Sequence, residues 1–216
     1  MSAREKILTR VRAAQGRSGE VAQLERDEVQ KIIAEKNIGP RPAMQGDLVE
    51  RFKKLSAEMI CTVDEVNHEN DVPASCRNYL HKNNLPMSGV AWPSLKHLDW
   101  KSAGIGVEFR RANGNDGIGI TSVFAALAET GTLMLLSGAD TTASVSLVPE
   151  THIAVLHKNR IVPYMEDAWA LLRKEKGELP RAVNFVSGPS RTADIEQTIV
   201  LGAHGPYRVH IILVSA

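Results

Sequence analysis

The residues best suited to bind a ligand lie near the end of the chain, where Ser190, Arg191 and Thr192 follow Gly188 and Pro189. Two hydroxyl groups and a guanidinium can donate several hydrogen bonds to one carboxylate or phosphate, and the guanidinium can hold it by two parallel bonds. The same hydroxyl residues are also preferred caps at the start of a helix. The residue types therefore predict either an anion site or an ordinary helix start at this turn.

The segments around this turn predict how it is presented. Residues 182–186 and 209–214 are apolar and rich in β-branched side chains, which is typical of strands. Residues 193–201 have helical spacing, and the Gly-rich turn 202–206 follows them. Strand, helix and strand form a βαβ unit, whose helix N-terminus lies at the carboxyl edge of the sheet, where α/β proteins bind anions. An anion cradle is therefore expected at that edge. It would consist of Gly188, Ser190, Arg191 and Thr192.

A second candidate for chemistry is Glu129, which is followed by Thr130, Gly131 and Thr132. The pattern predicts a helix that Ser122 caps and that runs through residue 128, then a strand over residues 133–136, so Glu129 is expected between a helix and a strand. A carboxylate held there can act as a base or a nucleophile, and the three residues after it could contact the ligand. The alternative is a glutamate that accepts hydrogen bonds from the N–H groups of its own turn.

A third candidate is His204, which lies beside Gly205 on the turn expected at the same edge. A histidine exchanges protons near neutral pH, so His204 could act as a catalytic acid or base. It could equally brace the turn by bonding a backbone carbonyl. The segment 188–192 also approximates the nucleophile elbow G-x-S-x-G, but Thr192 replaces the last glycine. Serine hydrolysis is therefore disfavoured.

Composition excludes several classes of protein. The 216 residues carry a net charge of +1 and only 5% aromatic residues, which indicates neither a nucleic-acid surface nor an anionic membrane surface. No apolar run approaches the roughly 20 residues of a membrane span, and the N-terminus does not resemble a signal peptide, so a cytoplasmic protein is expected. Two cysteines, Cys61 and Cys76, are too few for an iron–sulfur cluster, which needs about four thiolates. The histidines lack metal-ligand spacing, and GIGITS at 117–122 lacks the third glycine of a dinucleotide fingerprint.

The whole chain predicts an α/β protein preceded by helices. Amphipathic patterns at 2–15 and 19–36 and the linker at 37–42 predict an N-terminal helical extension over residues 1–40 and an α/β domain over residues 41–216. Strands alternate with helices in the second half, which predicts a mostly parallel sheet with helices on both faces. Further helices are expected at 47–59, 75–83 and 165–176, further strands at 60–63, 105–109, 117–121, 144–148 and 151–156, and an irregular segment at 86–100.

Several sequence blocks resemble the lactate-utilisation protein C family, which is defined by the LUD domain. They are GIGIT at 117–121, ALAETGTL at 126–133, LVPETHIAVL at 147–156, GPSRTADIE at 188–196 and GAHGP at 202–206. The resemblance implies a fold similar to the ribose-phosphate isomerase and CoA-transferase group. It also implies a subunit that oxidises L-lactate to pyruvate together with partner proteins that carry iron–sulfur clusters.

The resemblance has further implications for cofactors and chemistry. No cofactor is expected in this chain, and a small carboxylate or phosphate is its expected ligand. The related fold group also implies an alternative function, a stand-alone acyl- or CoA-transfer or ligase-like enzyme. Glu129 would then correspond to the glutamate that CoA-transferases use as a nucleophile. Whether the chain forms a homo-oligomer is left open.

Overall fold

The computed structural model describes residues 2–17, 22–192 and 200–215, and the chain divides into two units, Met1–Arg41 and Pro42–Ala216. The first unit contains α1 (Ala3–Ala14) and α2 (Gln23–Glu35), as the amphipathic patterns predict. α1 begins with a capping box, in which Ser2 and Glu5 each accept a hydrogen bond from the other's backbone N–H. Every residue of both helices is exposed.

The second unit carries the sheets. In chain order it contains α3 (Leu48–Glu58), β1 (Thr62–Val66), α4 (Val72–Lys82), β2 (Ser88–Ala91), β3 (Gly106–Glu108), β4 (Ile118–Ser122), β5 (Ala125–Leu127), β6 (Thr132–Leu136), α5 (Ser144–Leu147), β7 (Thr151–His157), β8 (Ile161–Val162), α6 (Met165–Lys176), β9 (Val183–Val186), β10 (Arg191–Thr192), β11 (Val200–Leu201) and β12 (Arg208–Val214). No helix in the described part of the chain is both long and apolar enough to cross a bilayer.

The main sheet has six strands in the order β1-β12-β7-β4-β2-β3, and every neighbouring pair is parallel. A second sheet has the order β8-β5-β6-β9 and is mostly antiparallel, and β10 pairs with β11. The central strands β7 and β12 are buried along nearly their whole length, as expected for parallel strands that are covered on both faces. The predicted mostly parallel sheet with helices on both faces is confirmed.

The two faces of the main sheet have separate cores. Ile212 and Val214 point to one face, where they pack with α4 and with Leu95 and Trp100. Ile211 points to the other face, which α3, α5 and the second sheet cover. Full burial of a side chain such as Leu, Ile or Phe contributes roughly 1.5–3 kcal/mol, so both cores stabilise the sheet. α6 covers the second sheet through its own cluster.

Three local expectations are wrong. Residues 86–100 are not wholly irregular, because β2 lies there between β3 and β4. Residues 122–128 form no helix, because β5 pairs with β6 and β8. The alternating segment 144–148 is not a strand but contains the helical turn α5. This turn packs against β4 at Gly119, which has no side chain. A Cβ on Gly119 would lie 1.9 Å from the carbonyl oxygen of Val145.

The predicted βαβ unit is also wrong. β9 belongs to the four-stranded sheet and β12 to the six-stranded sheet, so the two strands are not neighbours. Of the helix expected at 193–201, residues 193–199 lie outside the described part of the chain, and Val200 and Leu201 form β11. β11 pairs antiparallel with β10, so Arg191 and Thr192 lie in a strand and not in a turn that starts a helix.

Candidate functional site

The predicted anion cradle lies at the amino end of the main sheet. The Ser190 N–H donates to the carbonyl of Pro206, which directly precedes β12, over 2.9 Å. Gly188 has φ +86°, and a Cβ there would lie 2.3 Å from the carbonyl oxygen of Met59, just before β1. The expectation that this segment lies at the carboxyl edge is therefore wrong, because β9 leads into a loop that packs under the starts of β1 and β12.

Glu129 lies in a β-hairpin turn and not between a helix and a strand. Its N–H donates to the carbonyl of Pro163, and the Gly131 N–H donates to the carbonyl of Leu127, each over 3.0 Å. Gly131 has φ +66°, and a Cβ there would lie 2.6 Å from the backbone nitrogen of Ser56 in α3. The sequence Glu-Thr-Gly-Thr is therefore explained by a tight turn pressed against a helix.

The structure nevertheless brings the two predicted blocks together. The Thr132 hydroxyl lies 2.7 Å from the hydroxyls of both Thr130 and Ser187, and Ser187 precedes Gly188. Burial raises the pKa of the Cys61 thiol to about 11, and the positive charge of Arg191 offsets part of that rise. These contacts define an inter-strand junction at the amino edge, and the ligand-binding role of these residues stays a prediction.

His204 and Gly205 lie in the loop that leads into β12. His204 is exposed, and a Cβ on Gly205 would lie 3.2 Å from the Cβ of Ser190. Gly205 is thus close to the predicted cradle. Within the described residues the His204 ring makes no hydrogen bond that would brace the turn, and its catalytic role stays a prediction.

The carboxyl edge of the main sheet presents a different surface. The chain leaves β2 towards β3 on one side and leaves β4 towards β7 on the other. Such a switch point is where open α/β sheets bind ligands, because the diverging connections leave a crevice. A cleft of about 740 Å³ opens there. Its wall includes Trp92 after β2, Ser122 at the end of β4 and His157 at the end of β7.

Fixed side chains line this cleft. Trp92 is buried, and its indole N–H donates to the carbonyl of Thr142 over 3.0 Å. Ser122, at the end of β4, lines the cleft, and its hydroxyl lies 3.0 Å from the hydroxyl of Ser94, which follows β2 and lies outside the lining. Aromatic rings together with hydroxyl groups are the mixture usual in small-molecule sites.

Arg160 holds another wall of the cleft. Its Nε donates to the carbonyl of Phe124 over 2.7 Å, and its guanidinium lies 4.7 Å from the centre of the Phe124 ring. Two further bonds of 2.6 and 3.0 Å join it to Glu175, and they hold the pKa of the Glu175 carboxyl below its ordinary value. Because Glu175 neutralises its charge, Arg160 forms part of the cleft wall and is not a free cation for binding an anion.

Two histidines share one carboxylate at the same edge. Glu69 lies 3.2 Å from Nε2 of His97 and 3.6 Å from Nε2 of His157, which also lines the cleft. The imidazole of His157 can donate a hydrogen bond to a bound ligand or accept one from it. The described side chains include no group of three His, Cys, Asp or Glu residues that could hold a metal ion.

Sequence reasoning missed this cleft because it missed β2. That strand contains Gly89 and Ala91, which are weak strand formers. Gly89 is required by packing, since a Cβ there would lie 2.8 Å from Ile118 in the neighbouring strand. Without β2 the sequence does not predict a switch point. The available signal was short, since β2 ends in the two apolar residues Val90 and Ala91, directly before Trp92.

The covered parallel sheet with a cleft at its switch point defines the chain as an α/β protein. The LUD domain matches residues 11–214, and the chain therefore belongs to the LUD-domain family. A crystal structure of a DUF162 family protein from Deinococcus radiodurans has a similar fold. The TM-score is 0.60 at 22% identity, over 81% of this chain and 100% of that chain.

Curated relatives are similar to part of the chain. Lactate utilization protein C of Bacillus licheniformis is 39% identical over 129 residues, which is 57% of this chain and 53% of that protein. The protein of the same name from Bacillus subtilis is 40% identical over 134 residues, 56% of each chain. That from Halalkalibacterium halodurans is 47% identical over 101 residues, 45% of this chain and 44% of that protein. The chain thus spans about half the length of the curated relatives it matches.

Proposed function

We propose that this protein takes part in L-lactate utilisation as a subunit without a redox centre of its own. In this role it acts with partner proteins that carry iron–sulfur clusters, and together they oxidise L-lactate to pyruvate. One observation carries the proposal, the 39–47% identity to proteins named Lactate utilization protein C. Membership of the LUD-domain family over residues 11–214 supports it.

The available ligand atoms support a non-redox role. An iron–sulfur cluster needs about four thiolates, and the sequence has two cysteines. Cys61 and Cys76 are buried free thiols, and burial raises their pKa values to about 11 and about 12. Both are therefore protonated near neutral pH, the form that binds iron poorly.

The described residues around GIGITS do not form the strand–turn–helix unit of a dinucleotide site. The segment GIGITS coincides largely with β4, but the chain continues from β4 into β5 and not into a helix. No helix N-terminus follows Ser122 to receive a pyrophosphate. The residues that follow β4 therefore do not fit a dinucleotide fingerprint.

The proposal is tested in a host that grows on L-lactate. The full chain is affinity-tagged and purified from lactate-grown cells, and iron, flavin and L-lactate oxidation are measured in the co-purifying fraction and in the chain purified alone. We expect iron and lactate oxidation in the complex only. Lactate oxidation by the lone chain at the rate of the complex would contradict the non-redox role, and normal growth of a deletion strain on L-lactate would contradict the role itself.

A further inference from the structure

Beyond the 740 Å³ cleft lies a second cavity of about 520 Å³ that shares Ser137 and Gly138 with it. Its lining includes Arg111 and Arg181, and none of its described lining residues is acidic. The two cavities differ in character. The first is lined by apolar groups such as Trp92, Phe124 and Leu179 and by charged groups of both signs, and the second is cationic.

The two arginines of the second cavity are held at their backbones, and neither has an acidic partner among the residues that the structure describes. Arg110 forms ion pairs with Glu108 and Asp116 and also donates to the carbonyl of Arg111 over 2.9 Å. No acidic partner of Arg111 is found among the described residues. Arg110 thus forms the local ion pairs, whereas Arg111 lines the cavity.

Arg181 is positioned by its neighbour. Ser137 and Ala182 exchange two hydrogen bonds, one of 3.0 Å to the Ala182 carbonyl and one of 2.8 Å to the Ser137 hydroxyl. These bonds tie the start of β9 to the end of β6, beside the wall that both cavities share. Arg181 also has no acidic partner in the described part of the chain. Thr142 and Ser144 add hydroxyl groups to the same cavity.

We infer that the two cavities form one binding site for an amphipathic organic anion, whose apolar body fills the cleft and whose carboxylate or phosphate is held by Arg111 and Arg181. Cavities of about 300–1,000 Å³ hold ligands of drug or cofactor size. A three-carbon acid such as lactate would leave most of the cleft to water. Charge complementarity selects an anion, because this lining carries two guanidinium groups and no acidic group among its described residues.

This site goes beyond the proposed role in lactate utilisation, and its binding test does not depend on that role, because binding is measured on the purified full chain without partners. The probe is 8-anilinonaphthalene-1-sulfonate, an aromatic anion that fluoresces in apolar surroundings. Octanoate and octyl phosphate compete for it and distinguish a carboxylate from a phosphate preference, and L-lactate is the small-anion control. We expect saturable binding of one probe per chain, displacement by at least one of the two chain-bearing anions and none by equimolar lactate.

Two sets of variants test the assignment. Arg111→Gln with Arg181→Gln removes both charges and should weaken binding about tenfold or more, whereas Arg77→Gln with Lys82→Gln, which line a separate cavity, should change it less than twofold. Gly138→Trp fills the shared wall and should abolish binding independently of charge. Equal affinity of the two double variants, displacement by lactate as effective as by octanoate, or unsaturable probe binding would overturn the inference.

Discussion

The two ends of the main sheet are built in opposite ways. At the amino end, Gly188 and Gly131 let loops approach within contact distance of Met59 and α3, and hydroxyl groups bond to one another. At the carboxyl end, the chain leaves the strands in opposite directions and a cleft of about 740 Å³ remains. The sequence blocks that resemble the family thus include residues that pack tightly at the amino end, whereas the open cleft lies at the carboxyl end.

Gly188→Ala should give the largest effect, because the new Cβ meets the Met59 carbonyl at 2.3 Å and the backbone has φ +86°. We expect a loss of about 3 kcal/mol or more in the free energy of unfolding. Gly46→Ala is the matched control, since Gly46 has φ +87° and nothing within 4 Å of its Cβ position, so only about 1 kcal/mol is expected. Urea unfolding measures both, and equal losses would show that the amino end is not tightly packed.

Acid should destabilise the protein through histidines near the amino end. Burial lowers the pKa of His152 to about 4 from its ordinary 6.5, and burial likewise lowers that of His210 to about 4 although Asp64 opposes the shift. Between these pH values the unfolded chain binds protons that the folded protein does not, so stability falls as pH drops from about 6.5 towards 4. Each histidine lowers the free energy of unfolding by up to about 1.4 kcal/mol per pH unit. Over the whole range from pH 6.5 to 4, one histidine therefore contributes about 3 kcal/mol.

The test compares His152→Gln with His81→Gln, a substitution at an exposed residue of α4. His152→Gln should lower the slope of unfolding free energy against pH by about 1.4 kcal/mol per pH unit between pH 6 and 4.5. His81→Gln should leave the wild-type slope. A slope that is unchanged by His152→Gln would place the acid sensitivity elsewhere.

At the carboxyl end, Arg160→Gln removes the bonds to Phe124 and Glu175. We expect a loss of about 1–2 kcal/mol, mainly from the unsatisfied Phe124 carbonyl, because the ion pair is partly exposed and screened by solvent. Arg173→Gln on the exposed side of α6 is the control and should cost less than about 0.5 kcal/mol. Thermal unfolding compares them, and equal melting temperatures would mean that Arg160 does not hold the cleft wall.

Glu129→Gln should have the smallest effect. The Glu129 contact with Pro163 is made by its backbone N–H, which the substitution leaves intact. Stability within about 0.5 kcal/mol of the wild type and unchanged growth on L-lactate are expected. Loss of growth with a normally folded variant would instead favour the acyl- or CoA-transfer alternative, in which this carboxylate is the nucleophile.

The comparison also explains which features the sequence predicts. Periodicity locates α6 at its observed bounds and places the buried strands β7 and β12, because long apolar or amphipathic segments report burial directly. It misassigns β5, whose Ala-Ala-Leu composition favours a helix but whose partners β6 and β8 impose a strand. Such pairings are tertiary, so a local pattern does not contain them.

The candidate site was harder to predict than the fold. Arg191 and Thr192 are conspicuous in sequence, yet their position depends on β9 joining the second sheet. Arg111 and Arg181 stand in unremarkable segments and meet at one cavity only through folding. The anion site at residues 188–192 stays a prediction from residue types, whereas the second cavity depends on strand order, which residue types do not contain.

Growth on L-lactate of a deletion strain that carries Gly138→Trp tests most directly whether the carboxyl-end cleft is the functional surface. Gly138 lines both cavities, and its Cβ position meets only the Thr141 hydroxyl, whereas Gly114→Trp places the same ring where nothing lies within 4 Å. At equal protein levels, we predict no growth with Gly138→Trp and normal growth with Gly114→Trp. Normal growth with Gly138→Trp would contradict the assignment of function to the cleft.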